Sequence, residues 1–401
     1  VAFPPGTAWR FLLAYLALYV PFAVVTPYLQ KLLSLRGFRE DEIGLIQGCF
    51  EVMAVLAPPL WGYLSDHSGR PRLVLAACMA GAIPAFQLFG LVHGLAAALG
   101  AAAVFGLFYR PVIPLTDGIT FRFINTHGGD YGRIRIGGSL AFISCLLLLE
   151  PLGIGSSHDG RMILAAVAVT GVFHLASIAL IPAAAGGVPA SALPGGVAHH
   201  QTALAACREL CRPAFLWFTL CAFLGRLALM SYYGFFTLYL AREHGIAKAG
   251  LMWLLGPLSE IPVIFFSRRI MDRIGVRDLF ALGLLGIAVR LAGFSVAHSL
   301  WVLVPLQFLH ALTFGAYHCS TVTYVSRVVP VRLQSTAQTL FSAVTFGMGS
   351  MLGGALGGVL ARHLGFRALY GTFGGVAAVA LGVLWLTVPR QAGEVAEADR
   401  R

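Results

Sequence analysis

Glu51, Arg110, Asp117, Arg226, Glu260 and Arg290 each stand inside a run of apolar residues, and His310 and His318 add two imidazoles in the same setting. Two chemistries are open to such a set. A guanidinium can capture a carboxylate through two parallel hydrogen bonds. A buried carboxylate can take up and release a proton, because burial raises its proton affinity and a neighbouring arginine lowers it. Three acids and three arginines could equally neutralise one another inside the fold.

What surrounds these residues decides how much their placement means. Of 401 residues, 58% are hydrophobic and 11% charged, with a mean hydropathy of +0.80; a soluble domain carries roughly 25% charged residues. Only a bilayer suits a chain with this much apolar surface. In that solvent an ionisable side chain at a helix centre costs roughly 2.5–3.5 kcal/mol on insertion scales, so it faces a partner or a wet cavity.

Apolar runs of about 20 residues, the length that crosses the hydrocarbon core, can be marked twelve times. The predicted spans are 9–33, 42–64, 73–92, 95–122, 134–153 and 161–181, then 213–241, 248–268, 279–297, 300–326, 333–361 and 367–388. A stretch rich in proline, glycine and small residues, 182–212, separates the halves and reads as a linker. The expected architecture is an all-α membrane protein: a six-helix bundle (1–181), a cytoplasmic linker (182–212), and a second six-helix bundle with a short cytoplasmic tail (213–401).

More than half of the 28 Lys and Arg residues fall in the loops that are cytoplasmic if the N-terminus is inside, which predicts both termini there. The formal charge of +11 then faces an anionic leaflet rather than nucleic acid. The first apolar run lacks a small-residue cleavage site and reads as a helix. Seven cysteines, an odd number without a paired framework, read as small core residues. His199, His200, Cys207 and Cys211 have a poor arrangement for zinc, so no metal is expected. There is no Walker loop, and no nucleophile or metal cluster that would suggest an enzyme.

Within span four, Arg110 and Asp117 are seven residues apart, hence on one face and about 10 Å apart along the axis. Pro111 and Pro114 free carbonyls between them, which is tolerated only against protein or water. Arg110, with Tyr109 beside it, suits capture of a substrate carboxylate; the alternative is a structural pair with Glu51 of span two. Gln47 shares the face of Glu51. Asp117 is a candidate proton carrier or inner-gate residue, or else a hydrogen-bonded residue at a helix break. Arg226 is a second candidate anion contact, or the partner of an acid. Tyr232 and Tyr233 could stack on a flat ring, although such clusters also serve packing. The run GMGSMLGGALGG (347–358) allows helices to approach closely.

The loop GYLSDHSGRPR (62–72) returns as RRIMDRIGVRD (268–278): Asp66 and Asp272, like Gly69 and Gly275, are 206 residues apart. Such repetition marks transporters built from two matching bundles. The first loop resembles the signature loop of the major facilitator superfamily. The resemblance implies that Asp66, Arg70, Arg72 and Asp272 form a cytoplasmic latch; an ordinary capped turn is the alternative. PLTDG (114–118), DYGRIRIGGSLAF (130–142), YYGFFTLYL (232–240) and RLQSTAQTLFSAV (332–344) resemble the phenylpropionate permease group, which is similar to lactose permease and the nucleoside–proton symporters.

That resemblance implies proton coupling by Glu260 on span eight as carrier, Arg290 on span nine as modulator and His318 on span ten as relay. A static Glu260–Arg290 bridge is the alternative, and His310 reads as a packed core histidine. Span five lacks the pattern of drug–proton antiporters, which favours import over efflux. The expected activity is proton-coupled uptake of a small organic anion, with an aromatic carboxylate as one candidate, by alternating access. The alternative is proton symport of a neutral nucleoside or oligosaccharide, in which case the arginines would pair internally. A membrane enzyme or a sensor of the solute fits less well. No cofactor beyond the proton gradient is expected. The protein should act as a monomer in a bacterial inner membrane.

Overall fold

The computed structural model describes residues 8–127, 131–156, 158–181, 212–329 and 334–389. The linker residues 182–211, with His199, His200, Cys207 and Cys211, lie outside these, as do Asp130, Arg332 and the tail from 390. The side chains of Arg122, Arg133 and Arg135 are likewise outside the description.

Among the described residues every regular element is helical. The first half holds α1 (Ala8–Leu35), α2 (Glu40–Ser68), α3 (Pro71–Gln87), α4 (Leu95–Tyr109), α5 (Val112–His127), α6 (Tyr131–Leu149) and α7 (Arg161–Ile178). The second holds α8 (Pro213–His244), the short α9 (Ala249–Trp253), α10 (Leu255–Ile274), α11 (Val276–Val296), α12 (Leu300–Phe308), α13 (Tyr317–Val328), α14 (Gln334–Ser342) and α15 (Gly349–Thr387). Large apolar side chains stand on the surface: Trp301 is 90% exposed and Leu386 88%. Helices apolar on every face are those of a membrane interior.

Ten helical stretches are long and apolar enough to cross a bilayer. The last, Ala337–Thr387, has 51 residues, too many for one crossing. Gly365 divides it, with φ 84° and ψ 168° inside α15, a conformation open to glycine because it has no Cβ. With the shorter apolar helix Gly137–Leu149, the described residues hold twelve stretches suited to crossing, the number the hydropathy pattern predicts.

Span four is broken at Arg110–Pro111, between α4 and α5. Pro111 has no N–H, so the Leu107 carbonyl loses its helical partner. The Trp61 indole of α2 supplies one at 2.8 Å. The break thus sits against protein and sets Arg110 at the end of α4.

The chain forms two compact units. One is the N-terminal half together with Thr237–Leu254; the other is the rest of the second half. In the first unit α1 packs on α6 and α7, α2 on α4, and α3 on α4 and α7. In the second, α11 packs on α15 and α13. There α15 also lies close to α8. A Cβ on Gly353 would collide with the Leu227 carbonyl oxygen, and one on Gly349 would lie 3.2 Å from the Phe223 carbonyl oxygen. The glycine run therefore brings Ser350 to Arg226.

Candidate functional site

In the first unit, Arg110 and Glu51 form an ion pair, Nη2 to Oε1, at 2.5 Å. The guanidinium carbon lies 3.8 Å from the centre of the Phe50 ring, and Nε donates to the Phe50 carbonyl at 3.4 Å. Tyr109 is buried and stacks on Phe105 at 4.7 Å; Gln47 is buried one helical turn before Glu51. Of the two roles open to Arg110, pairing with Glu51 is the one this geometry displays. Asp117, half-buried on α5, accepts a short hydrogen bond from the Tyr15 hydroxyl of α1.

Breaking a buried pair leaves an uncompensated charge, so Glu51→Gln should destabilise the folded protein by about 3 kcal/mol. Replacing both residues by glutamine should recover most of that loss, because no charge is then stranded. Thermal unfolding of the purified protein in detergent checks both expectations.

In the second unit, Arg290 of α11 is wholly buried. Nη1 donates to His310 Nδ1 at 3.0 Å and to Thr313 Oγ1 at 3.1 Å, and Nη2 donates to Gln307 Oε1 at 2.5 Å. Its guanidinium carbon lies 4.0 Å from the Tyr232 ring centre. The other nitrogen of His310, Nε2, lies 3.5 Å from Glu260 Oε2. An arginine cannot accept a hydrogen bond, so Nδ1 must be the accepting nitrogen and Nε2 carries the proton toward Glu260. His310 therefore joins the carboxylate to the guanidinium.

The resemblance implies His318 as relay; the structure stacks His318 on Phe314 at 5.4 Å, and Phe314 on His310 at 5.7 Å. A π-helical turn, Ala311–Ala316, lies between the two histidines. Such turns are frequent at functional sites. Gln307 and Thr313 were not singled out either. Both are buried and polar in an apolar helix, and that was their signal.

Arg226 of α8 is placed differently from the other two arginines. Its Nε donates to Ser350 Oγ at 2.8 Å. Its guanidinium carbon lies 5.1 Å from the Tyr233 ring centre and 4.8 Å from that of Phe346. Phe346 belongs to a second π-helical turn, Ala343–Met348. Among the described residues, no acidic side chain pairs with Arg226. Arg226, Tyr233, Phe314, His318 and Phe346 are all half-buried, whereas Arg290, Tyr232, Gln307 and Thr313 are sealed from solvent. One unit thus carries an accessible guanidinium among rings beside a closed charge network; Tyr233 reaches His310 at 6.4 Å between ring centres.

At the loops, Gly69 ends α2 with φ 61° and Pro71 opens α3. Arg72 Nη2 donates at 3.0 Å to the Ala179 carbonyl beyond the last turn of α7, a contact that satisfies a helix-end acceptor. Asp66 is half-buried, while Arg70 and Asp272 are exposed.

The sequence model of the MFS_1-like family matches residues 8–371. The chain belongs to this family of major facilitator transporters. It is 30% identical over 412 residues to a maltose permease of Geobacillus stearothermophilus, covering 98% of this chain and 99% of the relative. It is 25% identical over 394 residues to a probable 3-phenylpropionic acid transporter of Escherichia coli, covering 95% and 97%. The crystal structure of the nucleoside transporter NupG superposes with a TM-score of 0.82 at 17% identity, over 95% of this chain and 99% of that one. The protein is accordingly a multi-pass membrane transporter and not an enzyme.

Proposed function

We propose that this transporter carries a small organic anion, preferentially an aromatic carboxylate, into the cell together with protons, from a bacterial inner membrane in which both termini are cytoplasmic. The observation that carries the proposal is Arg226. Arg110 is committed to Glu51 and Arg290 is sealed among neutral and imidazole partners, so Arg226 is the mid-membrane guanidinium left to meet a ligand. Its Nε is fixed by Ser350, which leaves both terminal nitrogens for a carboxylate. Tyr233 and Phe346 beside it, with Phe314 and His318 beyond, offer faces for a ring.

Glu260, His310 and Arg290 supply the coupling. While Arg290 donates to Nδ1, that nitrogen holds no proton. A second proton on His310 therefore requires Arg290 to let go, and a proton on Glu260 removes the negative charge that Nε2–H faces. Either event rearranges the hydrogen bonds of Arg290, which also bind Gln307 and Thr313. In this way proton occupancy is tied to the conformation of α11 and α12.

A second reading, symport of a neutral solute such as a nucleoside or oligosaccharide, draws on the Arg110–Glu51 pair, since internal pairing is what that reading expects. Equilibrium binding to the purified transporter separates them. 3-Phenylpropionate should bind and should not be displaced by uridine or maltose. Binding of either neutral solute in place of the acid would overturn the anion assignment.

A further inference from the structure

Inside the first unit, α1, α3, α5 and α7 enclose a cavity whose wall includes Pro21, Met79, Val112, Ile113 and His174. Its volume is about 10 Å³, the size that admits a single water. Most of the wall is apolar, and His174 is the exception. That residue is 0% exposed, and among the described residues its Nε2 has no hydrogen-bond partner. A charge walled by apolar side chains is costly, so the ring is neutral and carries one N–H. Ser177 Oγ donates its proton to the His174 carbonyl at 2.7 Å, so at its 3.4 Å contact with Nδ1 it can only accept. The ring proton therefore sits on Nδ1, and Nε2 presents a lone pair.

The backbone around the cavity supplies the complementary groups. Val112 and Ile113 open α5, and the N–H groups of a helix's first turn have no partner within that helix. Pro21 stands inside α1 and brings no N–H to the Ala17 carbonyl one turn back, which points at it. An occupant must then donate to Nε2 and accept from the start of α5. An anion would face the Nε2 lone pair, a cation would face the positive end of a helix, and an apolar guest would leave Nε2 unmet. Water both donates and accepts, and a buried water makes about three hydrogen bonds.

We infer that this cavity is the binding site of one structural water, which donates to His174 Nε2 and to the Ala17 carbonyl and accepts from the opening turn of α5. The water joins α7 and α1 to the far side of the break in span four. It thereby braces the backbone that sets Arg110 against Glu51. The site lies wholly within the first unit and is independent of what the transporter carries.

Pulsed X-ray footprinting of the full-length protein in lipid nanodiscs tests it. The pulse converts water to hydroxyl radicals that oxidise adjacent side chains, and mass spectrometry locates the added oxygen. Met79 lines the cavity and is 1% exposed, so its oxidation should report the bound water and not the solvent. Met230, 2% exposed and outside the cavity wall, should stay unmodified and serves as the control. His174→Leu removes the acceptor, so Met79 oxidation should fall about tenfold. His174→Gln keeps an accepting oxygen and should preserve most of it. Wild-type Met79 no more oxidised than Met230 would overturn the inference, and that comparison needs no variant to fold. Met79 oxidation unchanged in His174→Leu would overturn it as well, since the water would then owe nothing to His174.

Discussion

Arg226→Gln should lower the affinity for 3-phenylpropionate at least 30-fold, since removing one partner of a desolvated charge pair costs about 2–5 kcal/mol. The variant should nevertheless stay folded, with a melting temperature close to wild type. That combination follows because, among the described residues, no acid pairs with Arg226, so the neutral side chain strands no carboxylate there. Arg110→Gln makes the contrast, because it leaves Glu51 unpaired within the membrane and should lower stability. Arg226→Lys should rescue little, since an ammonium lacks both the Nε that bonds Ser350 and the planar fork that matches a carboxylate. Titration calorimetry and a melting curve on the same preparations decide the matter. Loss of folded protein in Arg226→Gln would make the residue structural, and unchanged affinity would remove it from the site.

Glu260→Gln should abolish gradient-driven accumulation while leaving exchange of labelled for unlabelled substrate across the membrane. Glutamine keeps an oxygen for His310 Nε2–H but cannot change charge, so the network is fixed in one state. Loss of the driving effect should be complete, because the substitution removes the only carboxylate that His310 touches among the described residues. His310→Gln tests the assignment of the relay in the same assay. It should impair accumulation strongly, whereas His318→Gln should act mainly on affinity through the ring stack that joins His318 to Phe314 and Phe346. Wild-type accumulation in Glu260→Gln would place coupling elsewhere, with Asp117 next in line through its bond to Tyr15.

The spans were legible in the sequence because a bilayer leaves the backbone few choices: apolar length and internal hydrogen bonding together dictate helices. Pro111 and the glycines of 347–358 were legible for the same local reason, since each changes what its own backbone can do. What sequence could not settle was distance between spans. Arg110 had two candidate fates, and only the placement of α2 against α4 sets Glu51 within 2.5 Å. His310 and His318 lie eight residues apart, and the π-helical turn between them changes the angular register that a uniform helix would give. Their roles therefore could not be ranked by periodicity. Hydropathy assigned 213–241 to one span of the second half. It carries no information about Gln30 or Glu150, which tie Thr237–Leu254 to the first.

If protons drive the proposed import of an organic anion, transport must respond to a proton gradient. The direct measurement is uptake of labelled 3-phenylpropionate into liposomes holding the purified transporter, with and without an inward proton gradient. Accumulation above the external concentration should occur only with the gradient, and not at all in Glu260→Gln. Equal uptake with and without the gradient, or gradient-driven uptake of uridine or maltose in place of the acid, would contradict it.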